Sequence, residues 1–186
     1  MTEPNGSTAP SFANGDFDVA ALFEALDAQR VARKLSWRGV ADEIWNQSAT
    51  LNGQRRDHPI SPATLTGMAT RSNTSCQHAL FMLRWLGRSP ESFMPGSAIE
   101  PAMTALPLAG PDRRLRWSLK RLYEAMDAQR REQKLSWPQL AHELGCTANQ
   151  LTGIRTARFA TGMKLAMRIV RWLNRPARDF ITAAKW

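Results

Sequence analysis

Polar side chains recur at a helical spacing in one short stretch of the sequence, "CTANQLTGIRTARF" (Cys146 to Phe159). Asn149, Thr152 and Arg155 are three residues apart, and Leu151 and Ile154 lie between them. At 100° per residue, the two apolar side chains face one side of a helix, Asn149 and Thr152 face the other, and Arg155 lies on the flank. An amide can form a bidentate pair with adenine, a guanidinium can reach guanine, and a threonine can donate to a base edge or touch a thymine methyl group. The stretch predicts a helix that can contact base edges.

Two sets of candidate contacts follow from this helix. The candidate base-reading residues are Ala148 at its tip, Asn149, Thr152, Gly153, Arg155 and Thr156. The candidate phosphate contacts are Trp137, Gln139, Thr147, Gln150, Arg158, Lys164 and Arg168. The alternative is an ordinary solvated helix face, and the local pattern and charge described below favour the contact surface.

The neighbouring pattern predicts the elements that hold this helix. Ser136 is typical of an N-cap, and Gln139 completes a capping box. Gly145 ends that second helix, and a third helix opens at Thr147. Apolar stripes predict a first helix that includes Leu115, Leu119, Leu122, Tyr123 and Met126, and a fourth helix with Met163, Ala166, Ile169, Val170 and Leu173. Pro176 opens a last turn that ends in Phe180 and Ile181, and no segment alternates with period two for long, so the predicted fold class is all-α.

The sequence contains this unit twice. "LDAQRVARKLSW" (Leu26 to Trp37) returns as "MDAQRREQKLSW" (Met126 to Trp137), at an offset of 100 residues. "TLTGM" at Thr64 returns as "QLTGI" at Gln150, an offset of 86, and "RWLGRS" at Arg84 returns as "RWLNRP" at Arg171, an offset of 87. The first copy therefore has about 14 additional residues between Ile44 and Leu65.

We divide the chain into four segments on this basis. They are a disordered lead (1–15), a first copy (16–94), a proline-rich linker (95–111) and a second copy (112–186). Four prolines deny the linker a helix, and its reach of roughly 50 Å would span two DNA half-sites one turn, about 34 Å, apart. We expect each copy to fold separately, with a covalent pseudo-dimer as one arrangement.

The first copy lacks most of the polar side chains that could contact bases. Ala63 takes the position of Asn149 and Ala69 that of Arg155. In the insertion, Asn52-Gly53 could set a hairpin turn that makes a wing over DNA. We interpret this copy as degenerate, and suited to dimerisation, to docking a protein partner or to a secondary DNA contact. Its candidate contacts are Arg55, Arg56, His58, Ala63, Thr66, Thr70 and Arg71.

The second copy resembles the lambda-repressor-like, or XRE-type, helix-turn-helix family. The resemblance covers nearly all of residues 113–182 and rests on Ala141 and Gly145 in the turn, the helix opening at Thr147 and the closing "RWLNRPARDF". It implies two tandem five-helix domains, DNA binding by helices two and three of the second, and usually transcriptional repression on paired half-sites. One position departs from the family, because Trp137 occurs where a phosphate-contacting glutamine is common. Its indole N–H could donate to phosphate, although covering the core is the favoured role.

Charge points to the same partner. The formal net charge is +9, with +10 in residues 112–186 and only +1 in residues 16–94. A basic surface favours a polyanion. Cys76 and Cys146 lack a C-x-x-C spacing, and the three histidines (His58, His78 and His142) are scattered, so no metal, cofactor or catalytic set is expected. No apolar run of about 20 residues and no secretory signal is found, and we expect a soluble, cytoplasmic, nucleoid-associated protein.

Two functions remain open at this stage. The first is a sequence-specific regulator of transcription that binds double-stranded DNA, as a repressor or autoregulator; RNA binding is a lesser variant. The second is a protein-interaction adaptor, antitoxin or anti-activator that binds a partner through the first copy. Salt separates the two, because phosphate contacts weaken steeply with salt and apolar interfaces do not. An enzyme is not expected.

Overall fold

The structure is a computed structural model, and it describes residues 15–56, 58–96, 104–156 and 161–185. Over these residues the chain is mainly helical, with one small sheet. None of the helices in the described ranges is long and apolar enough to cross a membrane. The lead up to residue 14 lies outside these ranges, but Gly15 does not belong with it, because Gly15 is buried and its carbonyl accepts from Arg171.

The first copy consists of helices joined by short turns. Its described α-helices are α1 (Val19–Ala32), α2 (Trp37–Asn46), α3 (Ala49–Arg55), α4 (Pro62–Thr66) and α5 (Cys76–Leu86). The 3₁₀ segment Gly67–Thr70 continues α4, and a second one, Pro90–Phe93, follows α5. Hydroxyl caps begin α2, α4 and α5, where Ser36, Ser61 and Ser75 each accept from a backbone N–H three residues on.

The second copy repeats this order without a counterpart of α3. Its described α-helices are α6 (Leu119–Glu132), α7 (Trp137–Glu143), α8 (Ala148–Gly153) and α9 (Met163–Trp172). The 3₁₀ segments Ile154–Thr156 and Ala177–Phe180 follow α8 and α9. The predicted buried stripe of α9 is confirmed at Met163, Ala166, Ile169 and Val170.

The expectation of an all-α fold is corrected by two short strands. β1 (Arg114–Trp117) pairs antiparallel with β2 (Ile181–Ala184), and Trp117 lies opposite Ile181. Leu115, predicted to lie in the first helix, is therefore a strand residue, and Ser118 caps the helix that starts after it. Because the ladder joins residues more than 60 positions apart, local periodicity could not reveal it.

Buried apolar side chains form one continuous cluster that includes both copies. Leu22, Leu26 and Leu80 have no exposed surface in the first copy, and Leu122 and Met126 have none in the second. The copies therefore pack against each other, and their relative position does not depend on the linker alone. Thr104 is buried and helical, so the expectation that the prolines exclude a helix from the linker is wrong at that residue, whereas residues 105–110 lack regular secondary structure. The division into two domains stays a prediction.

Candidate nucleic-acid interface

α7 and α8 form a helix-turn-helix unit whose two starts are both capped by side chains. Ser136 and Gln139 form the predicted capping box of α7, and Thr147 and Gln150 form another at α8. Between the helices, Gly145 has a φ of 62°, a conformation that glycine adopts without steric cost. These local interactions fix where α8 begins and in which direction it leaves the turn.

The two faces of α8 differ as the spacing predicts. Leu151 and Ile154 are buried, whereas Asn149, Arg155 and Thr156 are exposed. Ala148, Thr152 and Gly153 are partly buried at the edges of the exposed face. The side chains of Asn149 and Arg155, which have the hydrogen-bonding groups best suited to bases, are therefore both presented to solvent.

The threonine hydroxyls of this face donate within the protein. Thr152 Oγ1 donates to the Ala148 carbonyl at 3.1 Å, and Thr156 Oγ1 donates to the Gly153 carbonyl at 3.2 Å. A hydroxyl that donates its only proton still accepts hydrogen bonds, and its methyl group is unaffected. Thr152 therefore suits a thymine methyl group or a base amino group better than a base acceptor.

An open groove of about 640 Å³ runs along the same face, between α8 and an aromatic pair. Tyr123 stacks on Trp137 with ring centroids 5.7 Å apart, and the Arg130 guanidinium lies 4.4 Å from the Trp137 ring. The first copy repeats this arrangement with Phe23, Trp37 and Arg30. Since the stack is also present where Asn149 and Arg155 have no counterpart, it supports the fold of both copies.

The predicted phosphate contacts fall into three groups. Gln139, Thr147 and Gln150 are exposed, although their side chains also serve in the capping boxes, and Trp137 and Lys164 are partly buried. Arg158 lies outside the described residues. The Arg168 guanidinium forms hydrogen bonds within the protein. It pairs with Asp16 through two hydrogen bonds of 2.6 and 2.5 Å, and it also donates to the carbonyls of Leu144 and Gly145.

Arg168 therefore braces the turn before α8 instead of facing solvent. The hydrogen bond to Asp16 is the main cause that raises the pKa of Arg168, against the effect of partial burial. Asp16 precedes it by 152 residues, so no local pattern could have identified the pair. We do not include Arg168 among the proposed phosphate contacts.

The counterpart of α8 in the first copy is α4 with its 3₁₀ continuation. Ala63, Thr66, Thr70 and Arg71 are all exposed there, as are Arg55, Arg56 and His58 in the insertion. The hydroxyls of Thr66 and Thr70 donate to the carbonyls of Ala63 and Gly67. At the positions of Asn149 and Arg155, the first copy therefore presents the methyl groups of Ala63 and Ala69, and the nearest guanidinium in sequence is that of Arg71.

The expected wing with a hairpin turn at Asn52-Gly53 is wrong, because the insertion forms helix α3. Asn52 is completely buried: its Nδ2 donates to the Trp45 carbonyl at 2.7 Å and its Oδ1 accepts from Arg114 Nε at 2.7 Å. Leu51 N donates to the Pro111 carbonyl nearby. The insertion thus packs against the start of the second copy, and long-range hydrogen bonds override the turn preference of Asn-Gly.

Equivalent residues of the two copies meet at the starts of α5 and α9. Ser75 and Gly162, which correspond at the 87-residue offset, form an antiparallel bridge. Cys76 N donates to the Thr161 carbonyl at 3.0 Å, and Met163 N donates to the Thr74 carbonyl at 2.7 Å. Each bond is the counterpart of the other, so this contact has local two-fold symmetry.

Comparison with known proteins gives no match: no family model matches the sequence, and no curated protein and no solved structure matches it significantly. The resemblance of the second copy to XRE-type helix-turn-helix proteins therefore rests on its own residues.

Proposed function

We propose that this chain is a sequence-specific regulator of transcription that binds double-stranded DNA. It consists of two tandem helix-turn-helix domains of the lambda-repressor-like type, and α8 of the second enters the major groove. Asn149 and Arg155 contact base edges, with Ala148, Thr152, Gly153 and Thr156 beside them. Gln139, Thr147, Gln150 and Lys164 contact the sugar-phosphate backbone.

The observation that carries this proposal is the combination of a fixed helix and a polar, exposed face. Leu151 of α8 and Ile154 of its 3₁₀ continuation are buried, while Asn149 and Arg155 are exposed. An α-helix fits a major groove that is about 12 Å wide, and each good bidentate pair discriminates against a wrong base by about 1–3 kcal/mol. Two such side chains on one helix are enough to specify part of a site.

Charge supports the same partner. The second copy has a formal charge of +10 and the first only +1, so the field that attracts a polyanion is centred on the copy that carries Asn149 and Arg155. Backbone contacts release condensed counterions, which makes affinity fall steeply as salt rises. The resemblance of the second copy to XRE-type proteins, which usually repress transcription, is the basis for proposing a repressor or autoregulator.

A selection from a random duplex pool tests this function. The full chain is compared with the variant Asn149→Ala/Arg155→Ala, which gives α8 the alanines that the first copy has at these positions. Lys120→Ala is the matched charge control, because Lys120 is exposed on α6 and its side chain pairs with Glu124. We expect wild type and control to enrich the same motif, and the double variant to lose it while retaining salt-sensitive binding.

Other outcomes distinguish the alternatives. Enrichment of no motif, with the double variant indistinguishable from wild type, contradicts base reading by α8. A stable protein complex that persists at a salt concentration that abolishes DNA binding favours an adaptor or antitoxin acting through the first copy. Stronger competition by duplex RNA than by duplex DNA favours an RNA-binding protein.

A further inference from the structure

We propose that one chain covers two successive half-sites of a DNA duplex and reads bases in only one of them, so that its site has a direction. This inference rests on the proposed function and specifies the class of DNA that the chain recognises. Its first half-site, under the second copy, is specified by sequence. Its second half-site, under the first copy, is held through the backbone alone.

The two copies meet in a backbone contact that has local two-fold symmetry. The reciprocal bonds from Cys76 to Thr161 and from Met163 to Thr74 relate equivalent backbone atoms, as in the interface of a symmetric dimer. Helix-turn-helix dimers use a two-fold relation of this kind to place equivalent helices in successive major grooves. The chain thus has within itself the symmetry that a homodimer obtains from two molecules.

Side chains hold this arrangement from several directions. Gln77 Nε2 donates to the Leu115 carbonyl at 2.9 Å, and Glu91 Oε1, on a residue only 6% exposed, accepts from Ala177 N at 2.7 Å. Arg84 donates to the carbonyls of Ala109 and Arg113. Together with the continuous apolar cluster, these contacts fix the orientation of the two copies relative to each other.

Chain length limits how far apart the two DNA-facing segments can be. Thr70 ends the segment of the first copy five residues before Ser75, and Thr156 ends that of the second six residues before Gly162. At about 3.5 Å per residue, these ends lie within roughly 40 Å of each other. Half-sites on one face of B-DNA are about 34 Å apart, so adjacent turns are within reach and more distant ones are not.

The two segments differ in the contacts that they can make with DNA. Both connections to the interface contain an arginine, Arg71 and Arg158, a residue type suited to phosphate. Arg71 is exposed in a cleft that Lys164 of the second copy also lines. At the positions equivalent to Asn149 and Arg155, however, the first copy has alanines, Ala63 and Ala69. It keeps an arginine suited to phosphate and the threonines Thr66 and Thr70, but it lacks the amide and the guanidinium that discriminate most strongly between bases, which is the basis for a site specified on one side.

The reverse exchange provides the test. Ala63→Asn/Ala69→Arg gives the first copy the two side chains of α8, and both alanines are exposed, so the change leaves the core intact. A matched control, Ala28→Asn/Lys34→Arg, alters exposed positions of α1 and the turn after it. Each full-length chain is put through duplex selection, footprinting on the enriched site and native mass spectrometry, and a thermal melt verifies folding.

For wild type we expect one chain per duplex, one block of specified base pairs, and protection that extends about one helical turn beyond that block on one side. For Ala63→Asn/Ala69→Arg we expect a second, inverted block of specified base pairs in the extended region. Changing a base pair of that second block should lower the affinity of this variant by roughly 5- to 150-fold. The control keeps the single block.

Three results overturn the inference while leaving the proposed function in place: two chains on a palindromic site, protection confined to one block, or a folded exchange variant that still selects one block. If wild type selects no motif at all, the proposed function fails, and this inference fails with it.

Discussion

Arg168 in α9 joins Asp16, at the beginning of the first copy, to the turn that precedes α8. Its guanidinium pairs with the Asp16 carboxylate and also donates to the carbonyls of Leu144 and Gly145 at 3.1 and 3.0 Å. Both side chains are largely buried, with 22% and 18% of their surfaces exposed. A residue of one copy thereby stabilises the helix-turn-helix unit of the other.

Removal of the Asp16 carboxylate should therefore weaken both stability and base reading. Charge-assisted hydrogen bonds of partly buried groups contribute about 1.5–3 kcal/mol, so we expect Asp16→Ala to lower the free energy of unfolding by about 2 kcal/mol. Urea denaturation measures this loss. Because Arg168, which braces the turn before α8, loses the carboxylate that holds it in place, affinity for the selected DNA site should fall more than affinity for random DNA.

Asp42→Ala is the control for Asp16→Ala, because it removes an exposed carboxylate of α2. It should leave stability within about 0.5 kcal/mol of wild type. Equal effects of the two variants on stability would show that the pair with Arg168 contributes nothing specific.

The two cysteines should react very differently with thiol reagents. Burial raises the pKa of Cys76 to about 12, and burial also raises that of Cys146, against the opposing charge of Arg168. Since the thiolate is the reactive form, iodoacetamide at pH 8 should label Cys146 slowly and Cys76 only when the protein unfolds. Mass spectrometry of labelled peptides, with and without urea, measures both rates.

The same shift has a consequence for stability at alkaline pH. In the unfolded chain the Cys76 thiol ionises near 9.0, whereas in the folded protein it stays protonated to about 12. The unfolded state therefore binds fewer protons in this range, and stability should fall as the pH rises from 9 towards 12. Cys76→Ala should flatten this part of the profile; a profile equal to that of wild type would contradict the shift.

Local signals in the sequence predict the N-terminal caps of α7 and α8 and the buried faces of α7, α8 and α9, because short-range interactions determine them. Ser136 with Gln139, Gly145, and the inward side of Leu151 and Ile154 all depend on residues within one or two turns. What the sequence could not indicate depends on long-range contacts. The β1–β2 ladder, the Asp16–Arg168 pair and the burial of Asn52 against Arg114 each join segments more than 60 residues apart.

The repeat itself was visible in the sequence, but its consequence was not. An internal offset shows that two segments have similar folds, and it does not show that they pack together. The reciprocal hydrogen bonds, from Cys76 N to Thr161 O and from Met163 N to Thr74 O, join backbone atoms only. No pattern of side chains in the sequence therefore predicts them.

His78 should make the protein less stable in mild acid. Burial lowers its pKa below the ordinary 6.5, and the positive charge of Arg71 lowers it further. As the pH falls through 6.5 the unfolded chain takes up a proton that the folded protein resists, so stability is lost. His78→Leu, which copies Leu165 at the equivalent position of the second copy, should reduce the difference in stability between pH 7.5 and pH 5.5.

His142→Gln is the matched control for this pH effect, because His142 is exposed on α7. Its pH profile should follow that of wild type. If His78→Leu lost as much stability on acidification as wild type, the cause would lie in other groups.

The buried amide of Asn52 should be among the most sensitive positions of the first copy. It accepts from Arg114 and donates to the Trp45 carbonyl, and Arg114 is itself only 3% exposed. Asn52→Ala removes both bonds, and it takes an acceptor from a buried guanidinium and one of two donors from the Trp45 carbonyl, so we expect a loss of about 2–4 kcal/mol in the free energy of unfolding. Gln54→Ala, an exposed change in the same helix, should cost less than about 0.5 kcal/mol.

Since Asn52 belongs to the insertion and Arg114 to β1, the large loss in Asn52→Ala should be accompanied by looser packing of the two copies, which is measured as faster amide exchange in β1 and β2. A loss confined to α3, with exchange in the sheet unchanged, would show that the insertion does not hold the second copy.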